Sequence, residues 1–341
     1  MKPFVLPPNQ FHRFYRGGAR IDALRGAAAG EDGRPEDWVG STATAFGEET
    51  EGLSRLQDGR VLRDAIRAAP EAFLGPAHTA RWGADPALLV KLLDAGERLP
   101  VHFHPGRAFA RERLGLRFGK TEAWIIVQAD PGAVVHVGMR EPVDAATVRA
   151  WVDRQDAGEM LAAMREVPVR AGDAVLVPAG TLHAIGAGIL LVELQEPTDL
   201  SVLLEWRRFG VDGGPEHLEL GWDTALAALE LDAADPLGLA SPADSAEARP
   251  VAPLLPAAAD PYFRAQRLRP ALGAVALGPS FAVLVVQDGE GTLRTEHGDT
   301  LALRRGTTAL VPFAAGRTTV DGAVDAIRCL PPADTDEEGA W

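Results

Sequence analysis

Apolar positions along this chain fall into short runs bounded by Gly, Pro and Asp, the spacing of strands and turns more than of long helices. Residues 122–128 (Glu-Ala-Trp-Ile-Ile-Val-Gln), 133–137, 174–177 and 189–194 read as strands, as does the β-prone run 37–43 near the start. Between two of these runs, 144–166 is rich in Ala, Met, Leu and Arg and predicts a helical excursion, with Asp144 as N-cap and Gly158 dividing two helices. Residues 61–75 carry a helical apolar stripe that ends at Pro70 or at Gly75-Pro76. The run 86–94 fits a short helix, or a lead into a strand at 99–104. A short helix is expected at 223–232. Beyond it the composition turns to Ala, Pro, Asp and Ser, and strand-like runs resume at 281–287 and 305–312.

The segments 170–180 and 304–316 echo each other: a Gly turn, an apolar strand, then Pro and a turn of small residues. His183 follows the first copy, whereas Arg317 and Thr318 follow the second. The echo predicts two jelly-roll units with metal chemistry only in the first. A length of 341 residues also favours two domains. The expected division is a metal-binding unit over 1–232 with helical excursions at about 60–95 and 144–166, a linker over 233–262, and a second, smaller unit over 263–341. The 36 Gly and 26 Pro suit this mainly β architecture.

Charge and cysteine usage narrow the function. The net charge of −14 disfavours nucleic acid and anionic membranes as partners. No apolar run reaches the roughly 20 residues of a membrane helix, and the first residues lack the core of a signal peptide. A single cysteine, Cys329, excludes an intrachain disulfide or a Cys-rich zinc module, so a reducing, cytoplasmic setting is expected. Oligomeric state is left open.

The candidate chemistry lies in four side chains. His102 and His104 are two apart on a strand-like run, which puts both imidazoles on one face about 6.6–6.8 Å apart at Cα. Glu122 opens an apolar strand, where a carboxylate is costly to bury without compensation. His183 sits between a Pro-Ala-Gly turn and two glycines that fix its place. Together they offer three nitrogens and one oxygen, a donor set suited to catalytic zinc.

Gly119-Lys120-Thr121-Glu122-Ala123-Trp124 and the segment 172–186 resemble two signature segments of the type I mannose-6-phosphate isomerases. Segments 88–94 with 101–105, and Trp38-Val39-Gly40, resemble two more. The resemblance runs from about residue 35 to 206. It implies a zinc-dependent cupin that interconverts an aldose and a ketose, mannose 6-phosphate and fructose 6-phosphate first, by proton transfer through a cis-enediol. By position it implies His104, Glu122 and His183 as zinc ligands, with His102 standing where the family commonly has glutamine, and Lys120 beside the metal. The 18-residue gap from His104 to Glu122 separates the chain from iron- and manganese-binding cupins.

The chain also departs from the family. Asp199 is kept, but Leu203 stands where an active-site arginine is expected, so Arg207 or Arg208 is the candidate replacement. That change motivates an alternative, a sugar-phosphate-binding cupin without turnover. Arg107, Arg111, Arg113, Arg117 and Lys120 fall within 14 residues, either an anion-recruiting patch for the substrate or a solvated basic loop.

Overall fold

The computed structural model describes residues 1–333 apart from 29, 31, 32, 212, 234–239 and 242–248. Two pairs of antiparallel sheets organise the chain. The first pair is a seven-stranded sheet and a five-stranded sheet. In the seven-stranded sheet the order is Ala240–Ser241, Ala174–Val177, Glu122–Ala129, Ile189–Gln195, Leu89–Ala95, Glu36–Val39 and Gln10–Phe11. The five-stranded sheet runs Val202–Leu203, His102–Phe103, His183–Ile185, Val134–Met139 and Met164–Pro168.

Strand alternation sends one set of side chains into the space between these sheets. Trp124, Ile126, Val175, Val177, Leu191 and Leu93 enter from the larger sheet and meet Val135, Val137 and Ile185 from the smaller. The opposite face of the larger sheet is covered too. Ile125, Leu190, Val192 and Val90 pack with Ile21, Leu62, Ile66 and Phe73 of helical segments, and with Val283, Leu310 and Ile327 of the second half. Burial on both faces explains why Leu89–Ala95 shows no polar alternation. For the same reason the first helical excursion does not extend to 95. It comprises the helices Leu62–Ala68, Pro70–Leu74 and Pro76–Trp82, and 89–95 is strand.

The second excursion has helices Ala145–Arg154 and Ala157–Ala163. Asp144 caps the first by accepting from Thr147 N at 2.8 Å. The division falls at Gln155, in the left-handed conformation, with Asp156 capping the second helix, and Gly158 lies within that helix. Val148, Trp151, Val152 and Met160 cover the outer face of the smaller sheet. The helix after 221 is short, Trp222–Ala225.

The second pair is a six-stranded and a four-stranded sheet built largely from residues beyond 250. Between them pack Leu268, Leu284, Val286, Leu293, Leu303 and Val320. The two echoing segments become equivalent strands, Ala174–Val177 and Thr308–Val311. Phe4–Val5 joins this C-terminal half by pairing with Leu310 and Ala309. Much of the expected linker lies outside the described residues. Within it Ala240–Ser241 and Val251–Pro253 are strands, the latter paired with Arg264–Leu268, and Leu254 and Ala259 are buried in the core, so 249–262 belongs to the second unit and is not a linker.

Candidate active site

His102 and His183 are direct cross-strand partners in the smaller sheet, and Leu203 pairs with His102 from its other side. His104 follows at the end of the His102–Phe103 strand. Its carbonyl accepts from Gly180 N at 2.7 Å, which ties it to the turn that precedes His183. Gly180 holds φ +86° there, a conformation that costs a residue with a Cβ. Glu122 enters from the facing sheet, at an inward position level with Gln195 and Val177.

These four side chains, drawn from both sheets, meet at one place. Ligand atoms of His102, His104 and His183 all lie within 4.8 Å of one another. Glu122 Oε2 is 2.9 Å from His104 Nε2, and its Oε1 is 3.4 Å from His183 Nε2. Each imidazole Nδ1 faces a backbone carbonyl: Pro100 O at 2.8 Å, Leu200 O at 2.7 Å and Thr181 O at 2.8 Å. A carbonyl only accepts, so Nδ1 carries the proton and Nε2 presents a lone pair in all three rings. Burial, reinforced by neighbouring cations, pushes all three imidazoles down, His104 to about 3, so they are neutral.

Two features show that this set fits a cation. His102 Nε2 and His183 Nε2 are 3.0 Å apart, with lone pairs directed at each other. Glu122 Oε2 is buried without a hydrogen-bond partner. Although burial alone would raise it, the Lys120 ammonium holds the Glu122 carboxyl well below the usual range, so it supplies a negative charge. Three neutral nitrogens and one carboxylate oxygen form the donor set of a catalytic zinc site. Lys120 Nζ, also buried, lies 2.9 Å from His104 Nε2 and 3.3 Å from Glu122 Oε2. Gly119 lets this segment pass close to another stretch of chain, since a Cβ there would sit 2.6 Å from Arg107 N.

A cavity of about 410 Å³, mouth included, opens from the cluster. It is lined by His102, Lys120 and Glu122, and by four charged residues that the sequence had not singled out: Arg13, Glu36, Lys91 and Glu193. Lys91 Nζ is 3.1 Å from Glu193 and 3.5 Å from Glu36. Burial would raise both carboxyls. For Glu36, Lys91 and Arg13 overcome it and hold the group down at about 2. For Glu193, burial prevails over Lys91 and the group is pushed up to about 7. Lys91 and Glu193 lie at inward positions of largely apolar strands, the same signal that marked Glu122, and Glu36 opens the inward face of the mixed strand Glu36–Val39. Arg13 comes from an irregular segment with no such signal.

Asp199 lines the same cavity, where it accepts from Arg13 Nη2 at 2.9 Å and from Phe46 N at 3.1 Å. Arg207 does not reach it. The chain leaves the smaller sheet after Leu203, Gln155 Oε1 takes the backbone N–H groups of Trp206 and Arg207, and the side chains of Arg207 and Arg208 are exposed. Arg208 pairs with Glu97 at 3.6 Å. The basic stretch is also divided. Arg107 donates to Glu196 at 2.5 Å and lies over the Tyr262 ring, and Arg117 donates to the carbonyls of Trp82 and Arg81. Arg111 and Arg113 are exposed, and only Lys120 reaches the cluster.

No protein-family model matches the chain. It is 32% identical over 195 residues to a mannose-6-phosphate isomerase of Streptococcus mutans, a stretch that covers 56% of this chain and 57% of that protein. The match thus spans little more than half the length of the relative. In structure the chain superposes on the mannose 6-phosphate isomerase of Bacillus subtilis with a TM-score of 0.75 and 22% identity, over 96% of this chain and 99% of that one. It superposes equally, at 17% identity over 98% and 100%, on a mannose 6-phosphate isomerase bound with zinc and yttrium.

Proposed function

We propose, from its likeness to mannose-6-phosphate isomerases in sequence over part of its length and in fold over nearly all of it, that this chain interconverts mannose 6-phosphate and fructose 6-phosphate with one zinc ion. The observation that carries the proposal is the convergence of three imidazole Nε2 atoms and the Glu122 carboxylate beside buried Lys120.

His102, His104, Glu122 and His183 would hold the zinc, leaving room for a substrate oxygen. Bound there, zinc supplies electrostatic polarisation of the sugar oxygens at C1 and C2, worth several kcal/mol in this class of chemistry. The remaining work falls to the chain. In the aldose-to-ketose direction a base removes the C2 proton, the C–H electron pair forms the C1=C2 bond, and the C1 carbonyl oxygen takes up a proton. Return of a proton to C1 with loss of the O2 proton completes the ketose. Glu193, whose carboxyl sits near neutral in its acid–base balance and lines the cavity, suits the carbon-bound proton. Lys120, held between His104 and Glu122, suits the oxygen-bound one. Walls of Leu93, Leu99 and Ile185 keep bulk water from the intermediate.

The direct test incubates zinc-loaded protein with mannose 6-phosphate in deuterium oxide. Proton NMR should show fructose 6-phosphate with solvent deuterium at C1. Retained zinc with no conversion of any hexose or pentose phosphate would leave a binding protein instead.

A further inference from the structure

Arg13 is the one guanidinium, among the described residues, that lines both the inner cavity and the vestibule outside it. The vestibule is otherwise mostly apolar, with walls that include Phe14, Phe46, Leu203, Val211 and Leu218. The polar side chains that line this vestibule are Arg13, Asp199 and Ser201, and all three also line the inner cavity.

The guanidinium is held at a fixed angle. Nη2 forks to both oxygens of Asp199 at 3.2 and 2.9 Å, and Asp199 is itself fixed by Phe46 N. Nε lies 3.4 Å from Glu36 Oε1, yet it is buried without a hydrogen bond. Nη1 has no acceptor among the described residues. With its side chain only 14% exposed, Arg13 is nearly buried while keeping unused donors at the edge of the cavity. A donor on a cavity wall with no protein acceptor, as Nη1 is, gains a hydrogen bond when a solute oxygen enters. Two carboxylates already balance its charge, so it acts as an oriented donor more than as a net positive charge.

We propose that Arg13 is a substrate-binding residue, donating from Nη1 to an oxygen of the open-chain sugar phosphate as it runs from the vestibule to the imidazole cluster, with Asp199 as its positioning partner. The proposal rests on the isomerase reading of the same site. It assigns the polar contact of this wall to a residue near the N-terminus, where Leu203 offers none.

The test is calorimetric titration of zinc-loaded protein with mannitol 6-phosphate, an open-chain polyol phosphate that cannot isomerise. The proteins compared are wild type, Arg13→Lys and the charge-balanced pair Arg13→Met with Asp199→Asn, each checked for zinc content and melting temperature. The expected result is a Kd weakened roughly 10- to 100-fold in the double variant, less in Arg13→Lys, with zinc content unchanged. In turnover, KM should rise more than kcat falls. An unaltered Kd in the folded, zinc-bearing double variant overturns the proposal while leaving the isomerase reading intact. A wild type that neither binds the polyol phosphate nor converts mannose 6-phosphate removes both.

Discussion

At the scale of single residues, the site depends on charges placed where strands would otherwise be apolar. Glu122, Glu193, Lys91 and Glu36 all occupy inward positions of the larger sheet. Glu122 was legible because a lysine precedes it and a signature surrounds it. Lys91 lies within a segment of the resemblance without being singled out there, Glu193 carried the same pattern without a motif, and Glu36 and Arg13 had neither. Arg207 was expected near the site because it follows the leucine at 203 closely. The expectation fails because the chain turns outward once its last strand ends. Lys120 gives a sharp prediction: Lys120→Met should keep zinc and lose roughly 10²–10⁴-fold in kcat, read by metal analysis and turnover on one sample. Loss of zinc in that variant would make Lys120 a structural neighbour only. Glu36 gives a pH-dependent one. Its folded pKa of about 2 lies below the ordinary 4.5, so it contributes stability that is present above pH 4.5 and lost as pH falls through about 2. Urea unfolding of Glu36→Gln should show a deficit at neutral pH that shrinks below pH 4.5, and a deficit constant from pH 6 to 3 would contradict this.

At the scale of elements, periodicity served well where one face is exposed and poorly where both are covered. The helix Ala145–Arg154 follows from its spacing and from Asp144, whereas Glu122–Ala129, covered on both faces, is legible from its run of β-prone residues and not from alternation. Leu89–Ala95 was ambiguous because helices and the second half of the molecule cover its outer face, which erases the alternation. The site itself depends on cross-strand register, His183 opposite His102, which no local pattern encodes. Arg107 makes one of several contacts that join these elements to the C-terminal half. Arg107 links buried Glu196 to the Pro261 carbonyl at 3.1 Å and stacks on Tyr262. Arg107→Met should lower the urea midpoint at unchanged m-value, a cost of about 1–3 kcal/mol, by leaving Glu196 without its guanidinium. An unshifted midpoint would show that the halves hold together without it.

At the scale of the whole molecule, the echo between 170–180 and 304–316 predicted the doubled architecture, and the two strands do take equivalent places. The sequence did not reveal how closely the halves are joined. Phe4–Val5 pairs into the C-terminal sheet, and one hydrophobic cluster runs through both halves. Contacts so distant along the chain leave no periodic trace. The C-terminal half thus backs the sheet that carries Glu122, Glu193 and Lys91, a supporting role for a unit with no histidine after its own Pro turn. The chemistry rests on donors from both sheets of the first sandwich meeting at one cation. Native mass spectrometry with elemental analysis tests it most directly, on wild type and on His183→Ala purified alike. The account predicts one zinc per chain in the wild type and none retained in the variant. Equal zinc in both proteins, or none in either after zinc is supplied, would contradict it.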